Sequence, residues 1–327
     1  MKLKLYILFI LLPSMGTIFT QNGPFNTKAE YAEVSMNASI DKSKHIDIAS
    51  EKIHVIAEIS KSNPYLNQGF VLEHKMYVSP DISINNWKEI GSLKFTNFWS
   101  QDIAEKPFKI HEGKYKGKPY RYVILKRTVL YPQKTGELTI EPLTLNISTT
   151  VPTKERDAFG RFVTEKIDIT VASENKIVDV KPLPLEGKPN NFTGAVGTFD
   201  FTVKTDKNPL HTSEIFQISV TVKGNGNLPL FNLPNPNVSN KLKVSQLESA
   251  DEIRSDLTGV NGLKKNVYIL KVITHNEKYT IAPITFNYFN PKTERYESKT
   301  SDEYVIEVTS NGKQEIRGKI NKKNKNH

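Results

Sequence analysis

The chain has 327 residues, 37% of them hydrophobic and 24% charged, no cysteine, and a formal net charge of +10. That length suits two ordinary domains rather than a single core, and the composition excludes a wholly disordered or membrane-embedded chain. The absence of cysteine excludes disulfides, thiol redox chemistry and a lipidated export signal, and the charge forms no nucleic-acid face, because Lys2, Lys4 and the tail from Lys313 to His327 carry seven of the ten charges.

In chain order, MKLKLYILFILLPSMGTIFTQ sets Lys2 and Lys4 before an apolar run from Leu5 to Leu12 that stops at Pro13. This is the layout of a secretory signal, and the run is too short to span a bilayer. We expect an exported protein with a signal peptide over 1–20 and an N-terminal linker segment over 21–50. Short alternating runs follow: Ile53-Val55-Ala57-Ile59, Tyr120-Tyr122-Ile124, Ile167-Ile169-Val171, Phe199-Phe201-Val203, Phe216-Ile218-Val220-Val222 and Tyr304-Ile306-Val308. Period two with β-branched and aromatic residues is the strand signal, and Gly, Pro and Asn fill the gaps. SQLESADEIRSDL (245–257) is at most one short helix. The fold class is all-β, with the strand and turn spacing of β-sandwiches.

An internal repeat divides the chain. ELTIEPLTLN (137–146) and KYTIAPITFN (278–287) agree at five of ten positions without a gap, Pro142 and Pro283 among them. Each copy precedes a strand closing its half, KIDITVAS (166–173) and EYVIEVTS (303–310), and SEKIHVIAEIS (50–60) pairs by similarity with SEIFQISVTVKG (213–224). The expectation is two tandem sandwich modules, 51–173 and 192–310, joined by a Pro-rich linker (174–191) and followed by a basic disordered tail (311–327). Proline cannot donate to a ladder, so Pro142 and Pro283 belong where the chain leaves one sheet for another. Pro182, Pro184 and Pro189 stiffen the join into a spacer that holds the modules apart. In FTGAVGTFDF no helix follows the glycines, so this is no phosphate cradle; Gly194 and Gly197 read as a bulge or a close backbone approach.

Residues able to carry chemistry are sparse. The seven histidines form no HExxH or HxH pair, no serine-nucleophile motif occurs, and adjacent acids such as Asp251-Glu252 point to opposite faces of an extended strand. We expect no catalytic, cofactor or metal residues. KGNGNL (223–228) lacks the carboxylates of a calcium loop, and Asn-Gly favours a tight hairpin turn. The aromatic cluster Phe98 and Trp99, beside Gln101 and Asp102, is a candidate partner surface, with Trp99 as a plug of the first core the competing expectation.

FWSQDI (98–103), LKRTVLYPQKTGELTIEPL (125–143), VKPLPLEGKPNNFTGAVGTFDF (180–201), VKGNGNLPLFNLP (222–234), LTGVNG (257–262) and FNYFNPKTERY (286–296) occur in an order that resembles the BatD, or oxygen-tolerance (aerotolerance), family of exported proteins. The resemblance runs from about residue 50 to 310. It implies tandem immunoglobulin-like modules in the periplasm, associated with the inner membrane, with von Willebrand A-domain membrane proteins and a MoxR-type AAA ATPase from the same gene cluster as partners. It supplies no catalytic residues. This chain is expected to be a shortened member, lacking the family's usual first β module and C-terminal transmembrane helix, so that membrane contact is peripheral or through partners. The function expected is that of a non-enzymatic protein-interaction scaffold in a cell-envelope complex; the alternative is a secreted carbohydrate-binding or adhesive sandwich.

Overall fold

The computed structural model describes residues 44–104, 108–206, 215–238, 242–272, 278–308 and 314–319. The expected signal peptide and the last eight residues of the tail lie outside them. The first half contributes β1 (Ile53–Ile59), β2 (Phe70–Val78), β3 (Ser83–Glu89), β4 (Phe98–Asp102), β5 (His111–Tyr115), β6 (Lys118–Pro132), β7 (Gly136–Ile140), β8 (Thr144–Arg156), β9 (Phe162–Ala172) and β10 (Lys176–Val180). The second contributes β11 (Gly197–Asp206), β12 (Ile215–Gly226), β13 (Leu242–Asp256), β14 (Gly259–Val272), β15 (Lys278–Ile281), β16 (Thr285–Asn290), β17 (Arg295–Thr300), β18 (Glu303–Val308) and β19 (Gln314–Lys319).

One sheet of the first half runs β1-β2-β6-β4, with β5 added beside β6, and a second runs β3-β8-β9. In chain order these are the A-B-E-D and C-F-G sheets of an immunoglobulin constant-type sandwich. The second half repeats the first sheet as β11-β12-β14-β13, and β16-β17 stand for F and G. In place of strand C it has a 3-10 turn at Leu228–Leu230 and a proline-rich stretch to Val238, whose bridge to Ile281 ends it. The fold is all-β, built of two tandem immunoglobulin-like sandwiches.

Alternation decides what each strand buries. On β1 and β2, Ile53, Val55, Met76 and Val78 face Leu145, Ile147, Ile167 and Ile169 of the opposing sheet in one core cluster. Ala57, Phe70, Leu72, Phe98 and Leu130 face Leu138, Ile140, Val178 and Val180 of β7 and β10 in another. Each such side chain contributes on the order of 1.5–3 kcal/mol by leaving water. His74 lies on the same inward face of β2, fully buried, with neither ring nitrogen hydrogen-bonded. Burial, with the nearby Lys126 charge, pushes its imidazole down to about 4.

The repeated Ile-x-Pro is a sheet switch. β7 pairs with β10, the chain turns at Pro142, and β8 enters the sheet of β3 and β9; β15 pairs with β18, the chain turns at Pro283, and β16 pairs with β17. Both prolines are exposed while Ile140, Leu143, Ile281 and Ile284 are buried. Each switch is closed by a serine. Leu143 N–H donates to Ser173 Oγ at 3.0 Å and Ser173 N–H returns a bond to Leu143 O at 2.9 Å; Ile284 and Ser301 repeat both bonds at 3.0 and 2.9 Å.

These pairings correct several expectations. β9, which contains most of KIDITVAS, corresponds to β17, and EYVIEV corresponds to β10, so the two apparent closing strands are not equivalents. Likewise β1 corresponds to β11 and β2 to β12, because hydrogen-bond partners rather than apolar runs fix equivalence. Residues 245–257 lie in β13 and the turn after it, not in a helix. β13 is exposed along most of both faces, which leaves its sequence without alternation. KGNG continues β12 rather than turning a hairpin, since its glycines pair with β11 and β14. Within the N-terminal linker, residues 44–50 are helical, with Ile46 and Ala49 on the first core cluster. Residues 314–319, assigned to a disordered tail, form β19 against β18.

Two outcomes follow. Ser173→Ala leaves the buried Leu143 N–H unpaired and should cost about 1–3 kcal/mol in urea unfolding, with a smaller loss for Ser301→Ala at its less buried site. His74 has a lowered folded pKa, so its contribution is present above the unfolded value of about 6.5 and lost as pH falls toward 4. A His74→Leu variant should lack about 2–3 kcal/mol of that acid-side loss, measured as unfolding free energy from pH 7 to 4.

Candidate functional site

β2 and β6 each begin or end in a run that does not alternate. Phe70, Leu72 and Leu130 point into the first sandwich, whereas Val71, Val129 and Tyr131 point the other way and join the core of the second. There they meet Ala195, Phe199, Val260 and Tyr288, with Trp99 and Ile103 packed at the margin. The halves are thus continuous in one apolar core within a single compact unit, His45–His327.

Tyr131 is the centre of this junction. Its ring lies over Gly69, where a Cβ would stand 2.7 Å from ring atoms. Its hydroxyl donates to Gly226 O at 2.9 Å and accepts from Val260 N–H at 3.1 Å. One phenol therefore satisfies backbone groups on both β12 and β14 of the other half, and burial raises its pKa, so it stays a neutral donor. Around it, Asn225 Nδ2 donates to Thr258 O at 3.0 Å and Asn261 Oδ1 at 2.9 Å, and Asn261 Nδ2 donates to Asp256 at 3.0 Å. Asn227 is fully buried; its side chain accepts from Val196 N–H at 2.7 Å and donates to Gly194 O at 2.8 Å.

Glycine at Gly197 is a matter of space. It stands opposite Gly226 in register, and a Cβ would meet Asn225 O at 2.3 Å. Gly194 instead has φ +91°, a conformation costly for a side chain, with only Asn67 at 4.0 Å.

The proline-rich stretch is part of the junction and not an open spacer. Leu66 N–H bonds Lys181 O at 2.9 Å, Lys181 N–H bonds Pro64 O at 2.8 Å, and Tyr296 OH reaches Pro184 O at 2.8 Å. Tyr65, Val196 and Phe289 form a small core there with Leu183 and Phe192. After Pro184 and at Pro189 the segment turns, with Lys188 N–H bonded to Leu185 O at 3.3 Å and Phe192 N–H to Pro189 O at 3.1 Å, and the contacts above tie it to both halves.

The four residues of the expected partner surface are not brought to one face. Phe98 is buried beside Phe70 in the first core. Trp99, one residue on, points the opposite way, edge-on to Tyr131 at 5.6 Å. The plug of the first core is therefore Phe98, and Trp99 seals the junction. Asp102 is exposed and bound by Thr128 Oγ1 at 2.8 Å and Lys126 at 3.0 Å; Gln101 is half-buried. Sequence reasoning passed over Tyr131. The runs Phe70-Val71-Leu72 and Val129-Leu130-Tyr131 carried its signal, since unbroken apolar stretches in a strand mean burial on both faces.

Outside the junction, one row of rings crosses four strands: His54, Tyr77, Tyr122 and His111 stand opposite one another in register. Tyr77 and Tyr122 stack at 5.1 Å, and His111 and Tyr122 at 5.0 Å. Among the described residues no three His, Asp or Glu side chains group as metal ligands, and no helix is long and apolar enough to cross a membrane.

Residues 203–308 match the family model of the BatD DUF11-like domain. The chain is also similar to the type II cohesin dyad from the adaptor ScaA scaffoldin of Acetivibrio cellulolyticus, at 9% identity over 70% of this chain and 87% of that one, TM-score 0.16. A second similar structure is the collagen adhesin (CNA) from S. aureus, at 9% identity over 83% and 91%, TM-score 0.17. No curated protein matches. At these TM-scores the immunoglobulin-like assignment rests on the strand order given above.

Tyr131→Phe should leave Gly226 O and Val260 N–H unpaired inside the core and lower stability by about 2–4 kcal/mol. Urea unfolding followed by Trp99 fluorescence in a Trp87→Phe background checks it.

Proposed function

We propose that this chain, BatD-type by its match over residues 203–308, is a non-enzymatic scaffold of the cell envelope that binds other proteins. The observation that carries this is where the family-like motifs meet. Trp99, Tyr131, Val196, Asn225, Asn227, Val260 and Phe289 come from all six motif stretches and converge on the junction, where their roles are packing and backbone hydrogen bonding. A motif set spent on fixing two sandwiches in one orientation suits a protein whose output is geometry. A partner that touches both modules, 51–173 and 192–310, then binds without paying to order them against each other. The long edge strand β13 and the short edge strand β3 offer backbone groups for strand addition.

The partners we propose are von Willebrand A-domain membrane proteins acting with a MoxR-type ATPase, in the periplasm, in support of oxidative-stress tolerance. The glycan-binding alternative is weaker. A sugar platform presents ring faces to its ligand, whereas Tyr77, Tyr122 and His111 turn their faces to one another.

A tagged full chain purified from gently solubilised envelopes of the native host should carry von Willebrand A-domain membrane proteins, identified by mass spectrometry. Recovery of the chain alone, with binding to soluble glycans, would overturn the scaffold reading.

A further inference from the structure

On the first sandwich, away from the junction, an apolar cavity of about 370 Å³ opens between β3 and the sheet of β2, β6 and β5. Val78, Ile84, Trp87, Phe108 and Ile110 line it. Phe108 and Ile110 are 58% and 65% exposed, although the Phe108 ring packs against Trp87 with their centroids 5.3 Å apart. Large apolar side chains left in water around a concavity mark a place where something else is meant to lie.

Two further observations specify the occupant. Arg121 also lines the cavity, and its Nη2 donates to Ile82 O at 2.9 Å while its Nε is buried with no acceptor. Glu112 stands opposite Arg121 in register but makes no ion pair with it. A buried guanidinium N–H without an acceptor costs free energy that an incoming oxygen, best a carboxylate, would recover. The second observation is the free edge of β3, which among the described residues pairs only with β8. Ile90 N–H bonds Thr144 O, so by antiparallel alternation Trp87 and Glu89 turn their own N–H and C=O away from β8, beside the cavity.

We propose that this cavity binds an extended segment of another protein, added as a strand along β3, with an apolar or aromatic side chain in the cavity against Trp87 and Phe108 and an acidic side chain on Arg121. This deepens the protein-binding function proposed above by naming a site and the chemistry of its partner. Backbone pairing to β3 supplies generic affinity, and the apolar slot with a single cation selects sequence.

The test is to pan a phage-displayed library of random nonapeptides against the full chain and synthesise the enriched sequences. Enriched peptides should share an acidic residue near an apolar one. Arg121→Gln should weaken them at least tenfold, the peptide's own carboxylate-to-amide change should weaken them equally, and the two losses should not add. Phe108→Ser, at an exposed position, should weaken them without altering the unfolding midpoint. No enrichment, or enriched peptides that bind Arg121→Gln and Phe108→Ser as tightly as the native chain, overturns the proposal. If Arg121→Gln still retrieves von Willebrand A-domain proteins from envelopes, the scaffold stands and this groove is not its contact.

Discussion

The hydroxyl of Tyr131, held between Gly226 O and Val260 N–H, is the point on which the arrangement of the two halves depends. Apolar contact alone is non-directional and would tolerate many relative orientations of two sandwiches. A buried phenol with one donor and one acceptor partner on separate strands admits few. Slipping either strand leaves a desolvated backbone group unpaired, so packing supplies affinity between the halves and this pair of bonds supplies register.

Around that point the molecule uses one construction twice. A strand ends in Thr-Ile, the chain crosses between sheets at an exposed proline, and the next strand is tied by two bonds to a serine. The proline prevents the first strand from continuing in its sheet, and the serine fixes where the second begins. Among the described residues the halves differ in strand C, which is β3 in the first and is replaced by a 3-10 turn in the second, and in two added strands, β5 in the first and β19 in the second. The candidate peptide groove lies along β3, the strand that has no equivalent among the described residues of the second half.

Much of this was legible in the sequence, and what was missed has physical causes. Period-two runs located six of the nineteen strands described, and Ile-x-Pro identified the sheet switch, because each reflects a constraint local to a few residues. Strand equivalence was misjudged: KIDITVAS and EYVIEVTS are alike in composition, yet one pairs with β8 and the other with β15. Composition reports burial, while equivalence is set by partners distant in sequence. β13 was mistaken for a possible helix because a strand exposed on both faces has no apolar period to display. The junction went unread for the opposite reason, since Val129-Leu130-Tyr131 is buried on both faces. Of the candidate surface, Phe98 and Trp99 pack into two different cores, as adjacent strand residues must.

The missing strand C has a consequence for how the chain reaches its native state. It leaves β16 and β17 as a sheet of two strands, and an isolated pair of strands is marginal in water. β16 is buried on both sides, with Phe286 and Tyr288 in the shared core and Phe289 edge-on to Tyr65 of the first half at 5.0 Å. The second sandwich thus completes itself on a surface made by the first. A chain that emerges amino end first, during synthesis or threading through a membrane pore, presents that template before the segment that needs it, so the order of emergence and the order of assembly coincide.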